Sequence, residues 1–185
     1  MSETSPHDAR PAPVREVCVA YLLRGALGGD EVLLGEKRRG LGEGLLVGLG
    51  GKLEPGEAAR DAVVREVREE SGLRVEPADL EEIGVVDYWF PTKPEWSQRS
   101  HVFLAREFRG RLLEESEELV PGWHQTARLP VHRMWSDAMH WLPRALAGAP
   151  IRAEFVFGDD LRTVVASSDP VAGLPPVEDA QRMSV

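Results

Sequence analysis

The chain has 185 residues, 42% of them hydrophobic, with 22 lysines and arginines against 31 aspartates and glutamates and a formal net charge of −9. That length and composition suit one domain with an ample core and require no second one. The acidic balance argues against a long nucleic-acid polymer as partner, because phosphate backbones are bound through basic stripes; the lone Cys18 excludes an intramolecular disulfide or a cysteine metal cluster.

Residues 1–13 are polar and proline-containing, lack the apolar centre of a signal peptide, and are expected to form a flexible tail. No stretch approaches the roughly 20 apolar residues of a membrane span, so a cytoplasmic protein with no membrane partner is expected. The working domain is then 14–166, followed by a second flexible tail over 167–185, rich in small residues, proline and charge. Within the domain, an apolar β-prone run at 17–23, a turn region at 25–30 and a second run at 31–35 predict a hairpin. A glycine-spaced loop at 40–44 leads into a short apolar stretch, 45–49.

Pro55-Gly56 is a turn signal, and from Ala58 the residues favour a helix that Gly72 stops. Ala59, Val63 and Val67 recur every fourth residue and give that helix an apolar seam. At about 100° per residue, Glu66, Glu69 and Glu70 share one narrow face, where three carboxylates repel each other unless cations neutralise them. Two readings stand side by side: a site for a hard divalent ion such as Mg²⁺, or a solvated acidic face with ion pairs such as Arg65 with Glu69.

Further strands are expected at 83–88 and 100–108, then an acidic connector at 114–118 and a short strand at 123–125. A helix over 134–147 contains Pro143, which implies a kink or a late start. Strands at 153–157 and 163–165 flank a Gly158-Asp159-Asp160 turn. Strands in blocks separated by two helices suit an α/β fold, a mixed sheet between helices.

The spacing from Gly51 to Leu73 is more specific than its glutamates alone. Gly51, five residues, Glu57, seven residues, Arg65-Glu66, Val67, one residue, Glu69-Glu70, one residue, Gly72 and Leu73 resembles the complete Nudix hydrolase signature, with every fixed position filled. The resemblance implies an α/β/α sandwich with a mixed central sheet and the signature as a loop-helix-loop. It also implies Mg²⁺ or Mn²⁺ on Glu66, Glu69, Glu70 and the Gly51 carbonyl, with Glu57 and Arg65 bracing the loop. Substrates would be small nucleotides in which a nucleoside diphosphate is linked to another group, and the protein a monomer or homodimer.

A narrower resemblance covers about residues 15–166, through residues 33–44, 48–52, Ser116-Glu117-Glu118, Pro121-Gly122-Trp123, Met134-Trp135-Ser136-Asp137 and Trp141. These are similar to the MutT-homologue branch that hydrolyses oxidised purine nucleoside triphosphates such as 8-oxo-dGTP to monophosphate and pyrophosphate. By that resemblance Glu118 faces the metal cluster, as ligand or base beside Glu66 and Glu69. Trp135 stacks on the base and Asp137 reads its edge. The chain departs from the branch at Val47, where asparagine is usual, at Ala138, where a second acid is usual, and at Leu41, where an aromatic is common. Lys37 and Lys52 are candidate phosphate cations, whereas Arg38 and Arg39 read as a solvated charge run. ADP-ribose, a dinucleotide polyphosphate or a nucleotide sugar is the alternative substrate, and a non-catalytic nucleotide-sensing module the alternative function.

Overall fold

Strand β1 (Arg15–Ala26) alternates its side chains between two separate cores. Cys18, Ala20 and Leu22 face one, Tyr21 and Leu23 the other. The computed structural model that shows this describes residues 15–180; the expected tail over 1–13 and residues 181–185 lie outside them.

Strand β2 (Gly29–Lys37) returns from the hairpin but pairs with β1 only from Leu23↔Val32 to Ala26↔Gly29. Beyond that the two strands part, and residues 46–52 fill the fork. Strand β3 (Leu46–Val47) pairs with β2 at Gly35 and Glu36. Leu49 then exchanges both backbone hydrogen bonds with Ala20 (2.7 and 3.0 Å), and the Cys18 N–H donates to the Gly51 carbonyl at 2.9 Å. So close an approach requires glycine at position 50, where a Cβ would lie 2.0 Å from the Cys18 carbonyl oxygen.

The predicted signature helix is α1 (Ala59–Ser71), stopped by Gly72 at φ 74°, with the Gly72 N–H donating to the Arg68 carbonyl at 2.9 Å. Its buried face is Ala62, Val63 and Val67, packed on Cys18, Ala20, Leu22, Leu33 and Phe103; Ala59 of the expected seam is only partly buried.

The remaining strands are β4 (Leu80–Trp89), β5 (Gln98–Ala105), β6 (Leu119–Gln125), β7 (Ile151–Phe157) and β8 (Val164–Ser167). They order as β3-β2-β1-β5-β4-β7-β8, with β6 also on β2. β1 with β5 and β4 with β7 run parallel and the other pairs antiparallel, so the sheet is mixed as expected. α2 (Ala138–Leu146) covers the face opposite α1 through Trp141, Leu142 and Ala145. The molecule is thus an α/β/α sandwich.

Three expectations need correction. The strand at 123–125 is the end of a longer one that passes through Pro121, a residue a sheet tolerates where the strand edge needs no N–H. The helix expected over 134–147 starts only at Ala138, the late start that Pro143 implied, and Pro143 still lies inside it, where one i→i−4 bond is forgone. The tail expected from Ser167 folds back as far as α3 (Val177–Ala180). Ser167 donates its N–H to the Pro175 carbonyl at 2.9 Å, buried Asp169 pairs with Arg144, and Ala172 and Val177 are buried. Isolated apolar residues among prolines and acids are too sparse to register as an element, yet Ala172, Leu174 and Val177 pack against the core while Val171 stays exposed. No helix among the described residues is long and apolar enough to cross a membrane.

Phe103 is fully buried between the sheet and α1. Phe103→Ala is expected to lower the unfolding free energy by about 3–5 kcal/mol, read by urea denaturation, while Leu113→Ala on the surface stays within about 0.5 kcal/mol of the parent.

Candidate active site

Arg65 joins the signature loop to the signature helix. Its Nε donates to Glu57 Oε1 (3.0 Å) and its Nη2 to Glu57 Oε2 (2.8 Å) and the Lys52 carbonyl (3.2 Å); its Nη1 reaches Glu66 Oε1 (2.8 Å) and Glu69 Oε2 (3.4 Å). Glu57 Oε2 also accepts the Glu54 N–H at 2.9 Å. The Arg65 hydrogen bonds hold the Glu57 carboxyl down at about pKa 2, and the same pairing drives Arg65 upward. Every guanidinium nitrogen is engaged, so Arg65 organises the site and has no free donor for a substrate.

The three glutamates meet different environments on that face. Glu70 is 3% exposed, and its Oε2 accepts the Gly50 N–H at 2.8 Å. Its Oε1 is buried with no partner among the described residues. Burial pushes its pKa up to about 8, against the lowering by the Gly50 N–H. Glu66 is half-buried and also raised by desolvation, opposed by Arg65. Glu69 is the open one, its side chain 60% exposed.

The Gly51 carbonyl accepts the Cys18 N–H within the sheet with one of its two lone pairs, and the missing side chain at Gly51 lets the Glu66 carboxylate pack close: a Cβ there would lie 2.5 Å from Glu66 Oε1. Gly50, which sequence reasoning passed over, supplies the N–H that holds Glu70. Cys18 lies beneath them, buried, its thiol pushed up to about pKa 11 by desolvation.

Across the cleft, the connector carrying Glu118 is tied to the end of β2. Glu118 Oε2 lies 3.8 Å from Lys37 Nζ and Oε1 lies 3.4 Å from Arg39 Nη2. Arg38 pairs with Glu115 at 3.1 Å and donates to the Ser116 carbonyl at 2.9 Å. The run expected to be merely solvated is therefore exposed but paired, and it latches two walls together. Glu118 also belongs electrostatically to the glutamate group, since its charge helps to raise both Glu66 and Glu70.

One cleft of about 1140 Å³ runs from this cluster across the other face of the sheet. Lys37, Leu41, Val47, Gly51, Lys52, Glu66, Glu69, Glu70, Glu118, Trp135 and Asp137 all line it. Among predicted residues, Glu57 and Gly72 stand behind it as supports. Trp135 packs edge-on against Phe157 (5.5 Å) and Phe90 (6.3 Å), and its indole lies against Gly42, where a Cβ would come within 3.0 Å of Nε1. Asp137 is 3% exposed: Oδ2 accepts the Trp141 Nε1–H at 2.8 Å, while Oδ1 is buried without a partner among the described residues. Burial raises its pKa, offset in part by Trp141, and the Tyr88 hydroxyl is close enough to contribute. Val47 packs toward the α1 core, its neighbour Leu46 toward the α2 core.

Sequence reasoning missed Tyr21, Tyr88, Phe90, Gln98, Ser100 and Phe157 as cleft residues. Strand alternation places Tyr88 and Phe90 on one face, but no local signal says which face is open.

The chemistry of these groups fits a divalent cation. The buried Glu70 carboxylate oxygen without a partner among the described residues, and the Glu66 and Glu69 carboxylates beside it on the cleft wall, are hard oxygen donors. Among the described residues no three acidic or histidine side chains converge as a finished cage; Glu66 and Glu69 turn toward Arg65 instead.

Comparison with known proteins agrees with this geometry. The NUDIX domain family matches residues 13–145. The chain is 37% identical over 139 residues to the oxidized purine nucleoside triphosphate hydrolase of Mus musculus, covering 75% of this chain and 86% of that one. It is 39% identical over 115 residues to the protein of the same name from Danio rerio, covering 62% and 71%. In three dimensions it resembles a mutator MutT protein from Bacillus halodurans at a TM-score of 0.68 and 23% identity, over 83% of this chain and 96% of that one, a likeness of fold. The signature helix, the forked sheet and a family match over most of its length agree, and the chain belongs to the Nudix hydrolase family.

Proposed function

We propose that this protein is a Mg²⁺-dependent pyrophosphohydrolase that converts a nucleoside triphosphate, an oxidised purine nucleotide such as 8-oxo-dGTP, to the monophosphate and pyrophosphate. The observation that carries the reading is the continuous cleft joining the carboxylate face of α1 to an aromatic pocket lined by Trp135, Phe90, Phe157 and the buried carboxyl of Asp137. The names of the mouse and zebrafish relatives support the base class.

Glu66, Glu69 and Glu70 would hold Mg²⁺, with Mn²⁺ as a substitute and Glu118 as a further donor. Bound there, the cation would polarise phosphate oxygens and acidify a water. The chain's own groups do the rest. The Gly50 N–H fixes Glu70 and the Arg65–Glu57 pair fixes the loop, so the carboxylates are positioned before substrate arrives. Glu69, the most open of the three, is the leading acceptor for the water's proton, with Glu66 and Glu118 as the other candidates. Water oxygen joins phosphorus as the anhydride P–O bond breaks, and the proton rests on the carboxylate. Lys37 and Lys52, both on the cleft wall, offset charge on the phosphate chain. Trp135 offers its ring to the base and Asp137 a buried carboxyl to the base edge.

A panel of normal and oxidised purine triphosphates beside ADP-ribose, with Mg²⁺ and scored for monophosphate and pyrophosphate, tests the reading. Turnover is expected to be greatest on an oxidised purine; none on any phosphoanhydride would overturn it. Glu69→Gln should keep the fold and lower turnover at least about a hundredfold. In Glu70→Gln the side-chain amide oxygen can still accept the Gly50 N–H, so the metal-free Tm should stay within about 3 °C of the parent. The rise in Tm on adding Mg²⁺ should be lost, as seen by calorimetry.

A further inference from the structure

The floor of the cleft holds a polar group that the mechanism above leaves without a task. Ser100, in the middle of β5, is 4% exposed and lines the cleft. Its cross-strand neighbours, which share its face of the sheet, are Val17 on β1 and Val86 on β4, and Val102 follows it along β5. None of these side chains can accept or donate a hydrogen bond, and the Ser100 hydroxyl makes none among the described residues. A valine here would complete an apolar rung; a serine instead puts a hydroxyl with no partner among the described residues on the cleft wall. Its hydrogen-bonding capacity is thus left for whatever occupies the cleft.

The hydroxyl is not isolated from the base pocket. Gln98, two residues earlier on β5, has the same face, lines the same cleft, and its side-chain amide likewise has no hydrogen bond among the described residues. The cross-strand partner of Gln98 is Tyr88, whose hydroxyl approaches Asp137. Ser100, Gln98, Tyr88 and Asp137 therefore form one polar track beside Val17, Val19 and Val86, with Arg15 at its end as the other cross-strand partner of Gln98. The side chains of Val47 and Ala138, which also line the cleft, offer no hydrogen bond.

We propose that Ser100, with Gln98 beside it, is a specificity-determining residue that hydrogen-bonds the exocyclic groups of the substrate's purine from the sheet floor, facing Asp137. The inference rests on the nucleotide-hydrolase reading and concerns which edge of the base is read. A hydroxyl and a primary amide each donate and accept, so the track pairs with both oxo and amino substituents, whereas a purine that carries neither offers ring nitrogens alone.

The test is direct binding of monophosphates to the full chain with Mg²⁺, by calorimetry, comparing GMP, 8-oxo-GMP and AMP with purine riboside monophosphate, in the parent and in Ser100→Val. The best-bound substituted purine should lose about tenfold in affinity in Ser100→Val, while purine riboside monophosphate binds both proteins equally; Tm without nucleotide should be unchanged or higher. Three outcomes would overturn the proposal: unchanged affinity for every nucleotide, an equal loss for all four, or a lower Tm accompanying the loss. A parent protein that binds none of the four would instead remove the nucleotide reading on which the proposal stands.

Discussion

The structure turns on the pressing of residues 49–51 against β1. Ala20 and Leu49 exchange backbone hydrogen bonds, the Cys18 N–H meets the Gly51 carbonyl, and the absence of a side chain at Gly50 lets the two backbones come together. Because β1 leaves β2 after a few residues to take up this second partner, the sheet forks. The fork brings the signature loop to α1 on one face while the other face stays open beside α2. Without it, the carboxylates and the aromatic pocket would belong to different surfaces.

Electrostatics then divides labour among charges that look alike in one dimension. Arg65 is surrounded by acceptors from Glu57, Glu66, Glu69 and the Lys52 carbonyl, and becomes a structural cation. Glu57 is drawn firmly into the ionised state by that partner. Glu70, one turn from Glu66, is desolvated instead and holds its proton far more tightly. The same residue type is thus paired at Glu57, buried at Glu70 and open at Glu69, according to partner and depth.

The pocket half is built on another principle. Phe90 and Phe157 stack face to face and Trp135 packs edge-on against both, making an apolar wall, while Asp137 and the Ser100 hydroxyl bring polar groups to the cleft lining. An apolar wall gives affinity with little discrimination; unpaired polar atoms give discrimination, because a ligand that fails to match them leaves them desolvated. The arrangement accommodates the loss of polarity at Val47 and Ala138 by drawing on the sheet floor.

Much of this was legible in one dimension. The limits of α1, its stop at Gly72, the shared face of Glu66, Glu69 and Glu70, the hairpin, and the two-layer covering of a mixed sheet all follow from local periodicity and turn chemistry. Such signals act over a few residues, and the chain itself carries them. What only the tertiary structure decided has a different physical origin. The direction of the Gly51 carbonyl, the hold of Gly50 on Glu70, the latch of Arg38 and Arg39, the packing of residues 167–178 and the bare hydroxyl of Ser100 each depend on a partner dozens of residues away. A strand's alternation names two faces equally well. Which one lies open, and beside what, is settled only when the neighbouring strands and helices are in place.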